Sequence, residues 1–265
     1  MNQSKVSIIG CGNIGISLLQ GFIKENGITP GNITATRRNL LEVSYLKDMG
    51  INLITDNIKA VEDSEIIIIA VKPYNIVNVL QEIRNHLNHE KHIIISVTAG
   101  ITISQIQDVV GVSVPVFRAM PNISASVGRS VSCICHTGAA SKDVDSVKSI
   151  FDLIGTTMII DEELMQSATI LGACGIAYVL RFIRAMIQGG IQIGFDAKTA
   201  SDIVNQTVKG AAELLIQRKE HPEYEIDKVT TPKGCTIVGL NEMEHNGFSS
   251  SLIKGIVASY EKIEK

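Results

Sequence analysis

Short apolar runs alternate with stretches of helical period over the first 160 or so residues of the chain. Residues 6–9 form an apolar run, and 14–24 repeat apolar positions at helical spacing, which predicts a strand followed by a helix. Residues 32–36 read as a second strand, 40–49 as a helix and 51–54 as a short strand. Residues 65–71 contain the consecutive isoleucines Ile66, Ile67, Ile68 and Ile69, which suits a strand covered on both faces, as in a parallel sheet. Ile76, Val79, Leu80, Ile83 and Leu87 place a helix over 75–87. A buried strand at 92–97, a helix at 103–110 and a strand at 114–117 follow. Strands at 131–135 and 157–160 flank a helix at 144–154. Such alternation predicts right-handed βαβ units in an α/β fold, a Rossmann-type doubly wound parallel sheet.

Beyond Asp161 the strand signal fades. Residues 163–191, 197–218 and 249–263 have helical periodicity, so the chain divides into a dinucleotide-binding domain over 1–161 and an all-helical domain over 162–265. The first of these helices carries Leu171, Tyr178, Val179, Phe182, Ile183, Met186 and Ile187 close together. A helix apolar over so much of its circumference has to be buried, and a domain of this size has few elements to bury it. The expectation is a homodimer formed through the C-terminal helices.

Composition narrows the partners. Hydrophobic residues make up 45% and charged residues 19% of the 265, as in a globular protein with a sizeable core. The net charge of -3 comes without a Lys/Arg block, so neither nucleic acid nor an anionic membrane is favoured as a partner. A strand begins within a few residues of the N-terminus, leaving no room for a signal peptide, and no apolar stretch approaches the ~18 to 20 residues of a membrane span, Ile66 to Val71 being far too short. A cytoplasmic protein with reduced thiols is expected. Cys133 and Cys135 read as small buried hydrophobes on one face of a strand, and no second ligand pair accompanies His136 to make a metal site.

The chemistry begins at Gly10, Cys11, Gly12, Asn13, Ile14 and Gly15, a GxGxxG string with the strand before it and the helix after it that its mechanism requires. Gly10 permits the tight turn, Gly12 lets a pyrophosphate approach the backbone, and Gly15 allows close helix packing. At the end of the second strand the order is Thr36, Arg37, Arg38 and Asn39, without an acid to hold a ribose 2'-hydroxyl. Two guanidiniums suit a 2'-phosphate, so NADPH is expected over NADH. Ala70, Val71, Lys72 and Pro73, and later Met120, Pro121 and Asn122, follow strands at the sheet edge where ligands bind in open α/β folds. In the helical domain, Val229, Thr231, Lys233, Gly234, Cys235 and Thr236 combine hydroxyls, a glycine and a helix start, a site for a small carboxylate. Thr231 or Thr236 can equally be the N-cap of the helix that follows.

Taken together these motifs resemble those of the pyrroline-5-carboxylate reductase family. The resemblance runs nearly end to end: the GCGNIG turn, Thr36 with Arg38, Asn57, AVKP at Ala70 to Pro73, RAMPN at Arg118 to Asn122, Gly175 with Ala177-Tyr178, Gln206-Thr207 and VTTPKGCT at Val229 to Thr236. It implies a Rossmann domain followed by a helical dimerisation domain whose helices interleave between subunits, in some members as larger rings of dimers. The implied reaction is NADPH-dependent reduction of 1-pyrroline-5-carboxylate, a cyclic imino acid, to L-proline, the last step of proline biosynthesis. By motif position Thr236 would be the catalytic contact, hydrogen-bonded to the ring nitrogen. The backbone of Gly234 and Cys235 and the Thr231 hydroxyl would hold the carboxylate.

Four departures stand out: Cys174 where the family has Ser, Ile176 where it has Pro, Ile123-Ser124 where it has Thr-Pro, and Lys233 where it has Gly. A side chain at Lys233 would be strained if the position needs positive φ, yet its ammonium would reinforce carboxylate binding. A catalytically weak paralogue serving as a regulatory or structural dimer would show such drift; the retained Thr236 and Gly234 argue against it.

Overall fold

The structure, a computed structural model, describes residues 4–24, 27–111 and 114–264. It divides into two compact units, one ending at Ala173 and the other beginning at Cys174.

The first unit is built on an eight-stranded sheet of order β3-β2-β1-β4-β5-β6-β7-β8. The strands are β1 (Val6–Ile9), β2 (Ile33–Thr36), β3 (Asn52–Ile54), β4 (Ile66–Ile69), β5 (Ile93–Ser96), β6 (Val116–Met120), β7 (Ser130–His136) and β8 (Gly155–Ile159). Every neighbouring pair is parallel except β6 with β7. That exception follows from chain length: only residues 121–129 join β6 to β7, too few for a parallel crossover with its helix. The connecting helices of this unit are α1 (Asn13–Phe22), α2 (Asn57–Glu62), α3 (Ile76–Ile83), α4 (Ile103–Val110), α5 (Ser141–Asp152) and α6 (Met165–Ala168).

The four isoleucines of β4 show why this strand needs no polar face. Ile66 and Ile68 join the core layer that holds Leu18, Phe22, Phe117 and Phe151, while Ile67 and Ile69 join the opposite layer with Leu80 and Ile106. Alternate side chains point to opposite faces, so one strand feeds both cores, each fully buried isoleucine contributing about 1.5–3 kcal/mol. Phe22 of α1 meets Phe151 of α5 edge to face with ring centroids 6.2 Å apart, locking those helices together on one side.

Three elements differ from the sequence expectation. Residues expected as a helix over 40–49 form a 3-10 turn, Leu41–Leu46, broken at Val43, where φ is -127°. Helix α2 was not expected at all; it is short, and Asp56 caps it by accepting from the Lys59 N–H at 3.0 Å. Strand β6 runs through Arg118, Ala119 and Met120, which the sequence placed in a loop, because all five of its residues are buried.

The second unit contains α7 (Gly175–Gln192), α8 (Ala197–Arg218), α9 (Pro222–Val229), α10 (Cys235–His245) and α11 (Phe248–Glu264). Helix α9 escaped the sequence reading, although Pro222 at its first position and His221 at its cap mark its start. Helix α7 continues from the first unit through a π turn, Thr169–Cys174. None of its residues is buried within the single chain. Inside the unit it is held by the Tyr178 hydroxyl donating to Ser259 Oγ at 2.7 Å and by the rings of Phe182 and Phe248, 6.1 Å apart. The helical run Glu162–Gln192 is, among the described residues, long and apolar enough to cross a membrane, with only 6% of its apolar window buried. This corrects the expectation that no stretch approaches a span: the apolar residues of this helix are interspersed with Gln and Arg, which hides its length in the sequence.

Candidate functional site

The sheet reverses its winding direction between β1 and β4, and the Gly10 turn lies at their carboxyl ends. Gly10 has φ of +104°, and its N–H donates to the Thr36 carbonyl at 3.1 Å. A Cβ there would lie 2.7 Å from the Ala70 carbonyl oxygen, so no other residue fits. At Gly15 a Cβ would run into the Gly10 carbonyl, which places this glycine's close contact with the turn itself. Gly12 is different: a Cβ would meet nothing within 4 Å. Its side is open, and it is the N-cap of α1, with no side-chain cap and no acid in the first turn. Free N–H groups and the positive end of the helix dipole face that opening. The residues present fit a dinucleotide pyrophosphate. The Cys11 side chain is buried, and burial pushes its thiol up to about 11 against the pull of Arg37. Asn13 is exposed and Ile14 half-buried.

The end of β2 sorts the four residues expected there. Thr36 is 2% exposed and its hydroxyl donates to Asn57 Oδ1 at 2.7 Å; the Asn57 amide in turn donates to Glu82 Oε2 at 2.9 Å. Arg37 donates to the Cys11 carbonyl and is ion-paired with Glu42. Arg38 is exposed, with no hydrogen-bond or ionic partner among the described residues. Glu42 and Glu82 were both missed: Glu42 meets Arg37, five residues away, in a segment that forms a 3-10 turn and not the expected helix, and Glu82 meets Asn57 only where the chain returns.

Ala70 is buried and its N–H donates to the Ile9 carbonyl at 2.8 Å. Val71 follows with its carbonyl accepting from the buried Thr98 hydroxyl at 3.0 Å, while Lys72 and Pro73 are exposed. Thr98 too was missed in the sequence. The RAMPN stretch is more enclosed than expected. Met120, Pro121 and Asn122 are all buried, Met120 in the core layer with Ile69 and Leu80. Asn122 donates to the Gly172 carbonyl at 2.9 Å and accepts from the Ser124 N–H at 3.0 Å. Arg118 pairs with Glu162 at 2.9 Å, and the same carboxylate oxygen accepts the Ile103 N–H at 2.8 Å. This segment therefore fastens residues 162–172 to the sheet. Cys135, whose register partner on β6 is Arg118, is buried and its thiol is pushed up to about 11, chiefly by that burial.

The second group lies wholly in the helical unit. Val229 ends α9, and Gly234 donates its N–H to the Thr231 carbonyl at 2.9 Å, closing a turn. Lys233 has φ of +60°, the left-handed conformation that the family's glycine adopts freely. Gly234, with a hypothetical Cβ 2.5 Å from Thr231 Oγ1, is the N-cap of α10, which has no side-chain cap and no acid in its first turn. Neither threonine is thus the cap; Thr236 is the second residue of the helix and half-buried, and Cys235 and Lys233 are exposed. Open N–H groups, an ammonium without a partner among the described residues and two hydroxyls in one turn suit a carboxylate bearing a polar neighbour.

Residues 162–265 match the family "Pyrroline-5-carboxylate reductase dimerisation", which supports a homodimer formed through the helices, and residues 5–100 match "NADP oxidoreductase coenzyme F420-dependent". The chain is 42% identical to pyrroline-5-carboxylate reductase 1 of Dictyostelium discoideum over 97% of its length but spans 49% of that protein. It is 41% identical to reductase 2 of the same organism, covering 100% of this chain and 93% of that one. It is 35% identical to the Methanosarcina acetivorans enzyme, covering 99% and 97%. The crystal structure of Plasmodium falciparum pyrroline carboxylate reductase with NADP bound superposes with a TM-score of 0.90 at 28% identity, covering 99% and 98% of the two chains. By its motifs, its fold and these relatives, the chain belongs to the pyrroline-5-carboxylate reductase family.

Proposed function

We propose that the protein is an NADPH-dependent pyrroline-5-carboxylate reductase of the cytoplasm, working as a homodimer or a ring of dimers and completing proline synthesis. The observation that carries this reading is one chain holding both an open glycine turn, with the uncommitted Arg38 beside β2, and an uncapped helix start flanked by Thr231, Lys233 and Thr236. Bound NADPH supplies the hydride. The Gly12 backbone and the start of α1 bind the pyrophosphate, and Arg38 binds the 2'-phosphate. Ala70, Val71, Lys72 and Pro73 border the dinucleotide.

On the acceptor side, the N–H groups of Gly234 and Cys235, the Thr231 hydroxyl and the Lys233 ammonium bind the substrate carboxylate, with Val229 beside them. The Thr236 hydroxyl hydrogen-bonds the ring nitrogen and fixes the face of the C=N bond presented for reduction. The imine carbon accepts a hydride and the nitrogen ends as an amine, having taken one proton. Orientation is the larger part of such catalysis, so no strongly shifted acid or base is required.

Purified protein, NADPH and 1-pyrroline-5-carboxylate should give loss of reduced-nicotinamide absorbance matched by formation of proline. Thr236→Ala should cut turnover by about tenfold to a hundredfold, the worth of one hydrogen bond to a charged group, without weakening NADPH binding. Absence of turnover at high enzyme concentration would sink the proposal, and dinucleotide binding without turnover would favour the structural paralogue.

A further inference from the structure

We infer that Arg37 and Arg38, adjacent in sequence, have different tasks: Arg37 aims the Cys11-Gly12 peptide, and discrimination between NADPH and NADH rests on Arg38. This rests on the NADPH reading given above.

The guanidinium of Arg37 joins two segments that are far apart in the chain. One contact is to the carbonyl oxygen of Cys11, the other to the carboxylate of Glu42, which also accepts from the Asn39 side chain at 3.3 Å. The ion pair neutralises Arg37, so its charge is already answered before any phosphate arrives. Its contact with Cys11 has a directional consequence. No peptide bond among the described residues is cis, and in a trans peptide the C=O and the following N–H point in opposite directions. Holding the Cys11 carbonyl toward Arg37 therefore turns the Gly12 N–H away from Arg37. Gly12 is the residue where a Cβ would meet nothing within 4 Å. The turn is fixed at its other end by the Gly10 N–H on the Thr36 carbonyl at 3.1 Å, so both ends of the Gly10-Cys11-Gly12 segment are tied to the end of β2. A loop held in its binding geometry loses less entropy when the ligand arrives. Arg38 has no competing partner among the described residues, and a guanidinium forks readily onto a phosphate.

The test is calorimetric titration of the full-length protein with NADPH and with NADH, alongside steady-state kinetics. Arg37→Ala should weaken both dinucleotides by a similar factor, about tenfold, leaving their Kd ratio within about twofold of wild type and the KM for the imine substrate unchanged. Arg38→Ala should weaken NADPH by about tenfold or more and leave NADH nearly untouched. A purely structural Arg37 would lower the unfolding temperature without moving either Kd below the transition, and that result overturns the proposal. So does an Arg37→Ala protein that loses affinity for NADPH alone. Where Arg37→Ala does not fold, Arg37→Lys serves: it keeps the charge but loses the two-ended bridge, so an equal loss for both dinucleotides supports the proposal and wild-type affinity for both refutes it. A wild-type protein with no preference for NADPH would instead remove the NADPH reading itself, a separate failure visible before any substitution.

Discussion

The Thr36 hydroxyl donates to Asn57 Oδ1 across 2.7 Å, joining the last residue of β2 to the first of α2. With the Asn57 amide on Glu82, it links β2, α2 and α3 by side chains alone. Thr36→Val keeps the shape and β-branching but removes the donor. It should lower unfolding stability by about 1 kcal/mol, measured by urea denaturation, because Asn57 loses a buried partner while the strand retains its packing. No change in stability would mean the contact contributes nothing net.

Lys233 offers a test in which stability and binding separate. Lys233→Gly relieves a side chain at φ of +60°, worth about 1–2 kcal/mol, against about 0.5–1 kcal/mol of extra unfolded-state freedom for glycine. The net gain should lie between nothing and about 1.5 kcal/mol. Lys233→Ala keeps the strained backbone and should not gain. Both remove the ammonium, so both should raise KM for the imino acid. A KM unchanged in both variants would remove Lys233 from the carboxylate site.

The pair of Arg118 and Glu162 is mostly buried, Arg118 at 7% and Glu162 at 30% side-chain exposure. Glu162→Gln leaves the Arg118 charge enclosed without a counterion and weakens the cap on Ile103 of α4. With the partial exposure of Glu162 taken into account, the loss should be about 1–3 kcal/mol by chemical denaturation. Adding Arg118→Met should recover part of it, since the uncompensated charge is then gone. An additive double variant would show that the two residues do not act together.

His92 sets a pH dependence. Burial, assisted by the neighbouring Lys91, holds its pKa below the ordinary 6.5, and its Nδ1 accepts the Asn88 N–H at 3.0 Å. The folded state keeps the ring neutral while the unfolded chain takes up a proton, so stability is complete above the unfolded value and falls as pH drops below about 6.5. His92→Asn preserves an acceptor near the same place and removes the titration. Wild-type stability relative to the variant should therefore fall from pH 7.5 to 5.5; a constant difference would assign the acid sensitivity elsewhere.

The alternation of apolar strands and periodic helices and the GCGNIG turn were legible in the sequence because each is local: period, glycine placement and motif spacing lie within about a dozen residues. That α10 starts at Gly234 without a side-chain cap was not, since Thr231 and Thr236 each offered a cap. Positive φ at Lys233 was raised only as a condition, through the resemblance to a family with glycine there, and the backbone decided it. Local signals failed where burial or distant partners decide. Whether residues 40–49 wind as an α-helix or a 3-10 turn, and where β6 ends, depended on the surrounding core. The task of Arg37 turned on Glu42 and the Cys11 carbonyl, and that of Asn122 on Gly172, fifty residues away. A guanidinium or an amide has the same donors in any sequence. Only the fold supplies acceptors, and with them it decides which polar group is already satisfied and which, like Arg38, has no partner among the described residues.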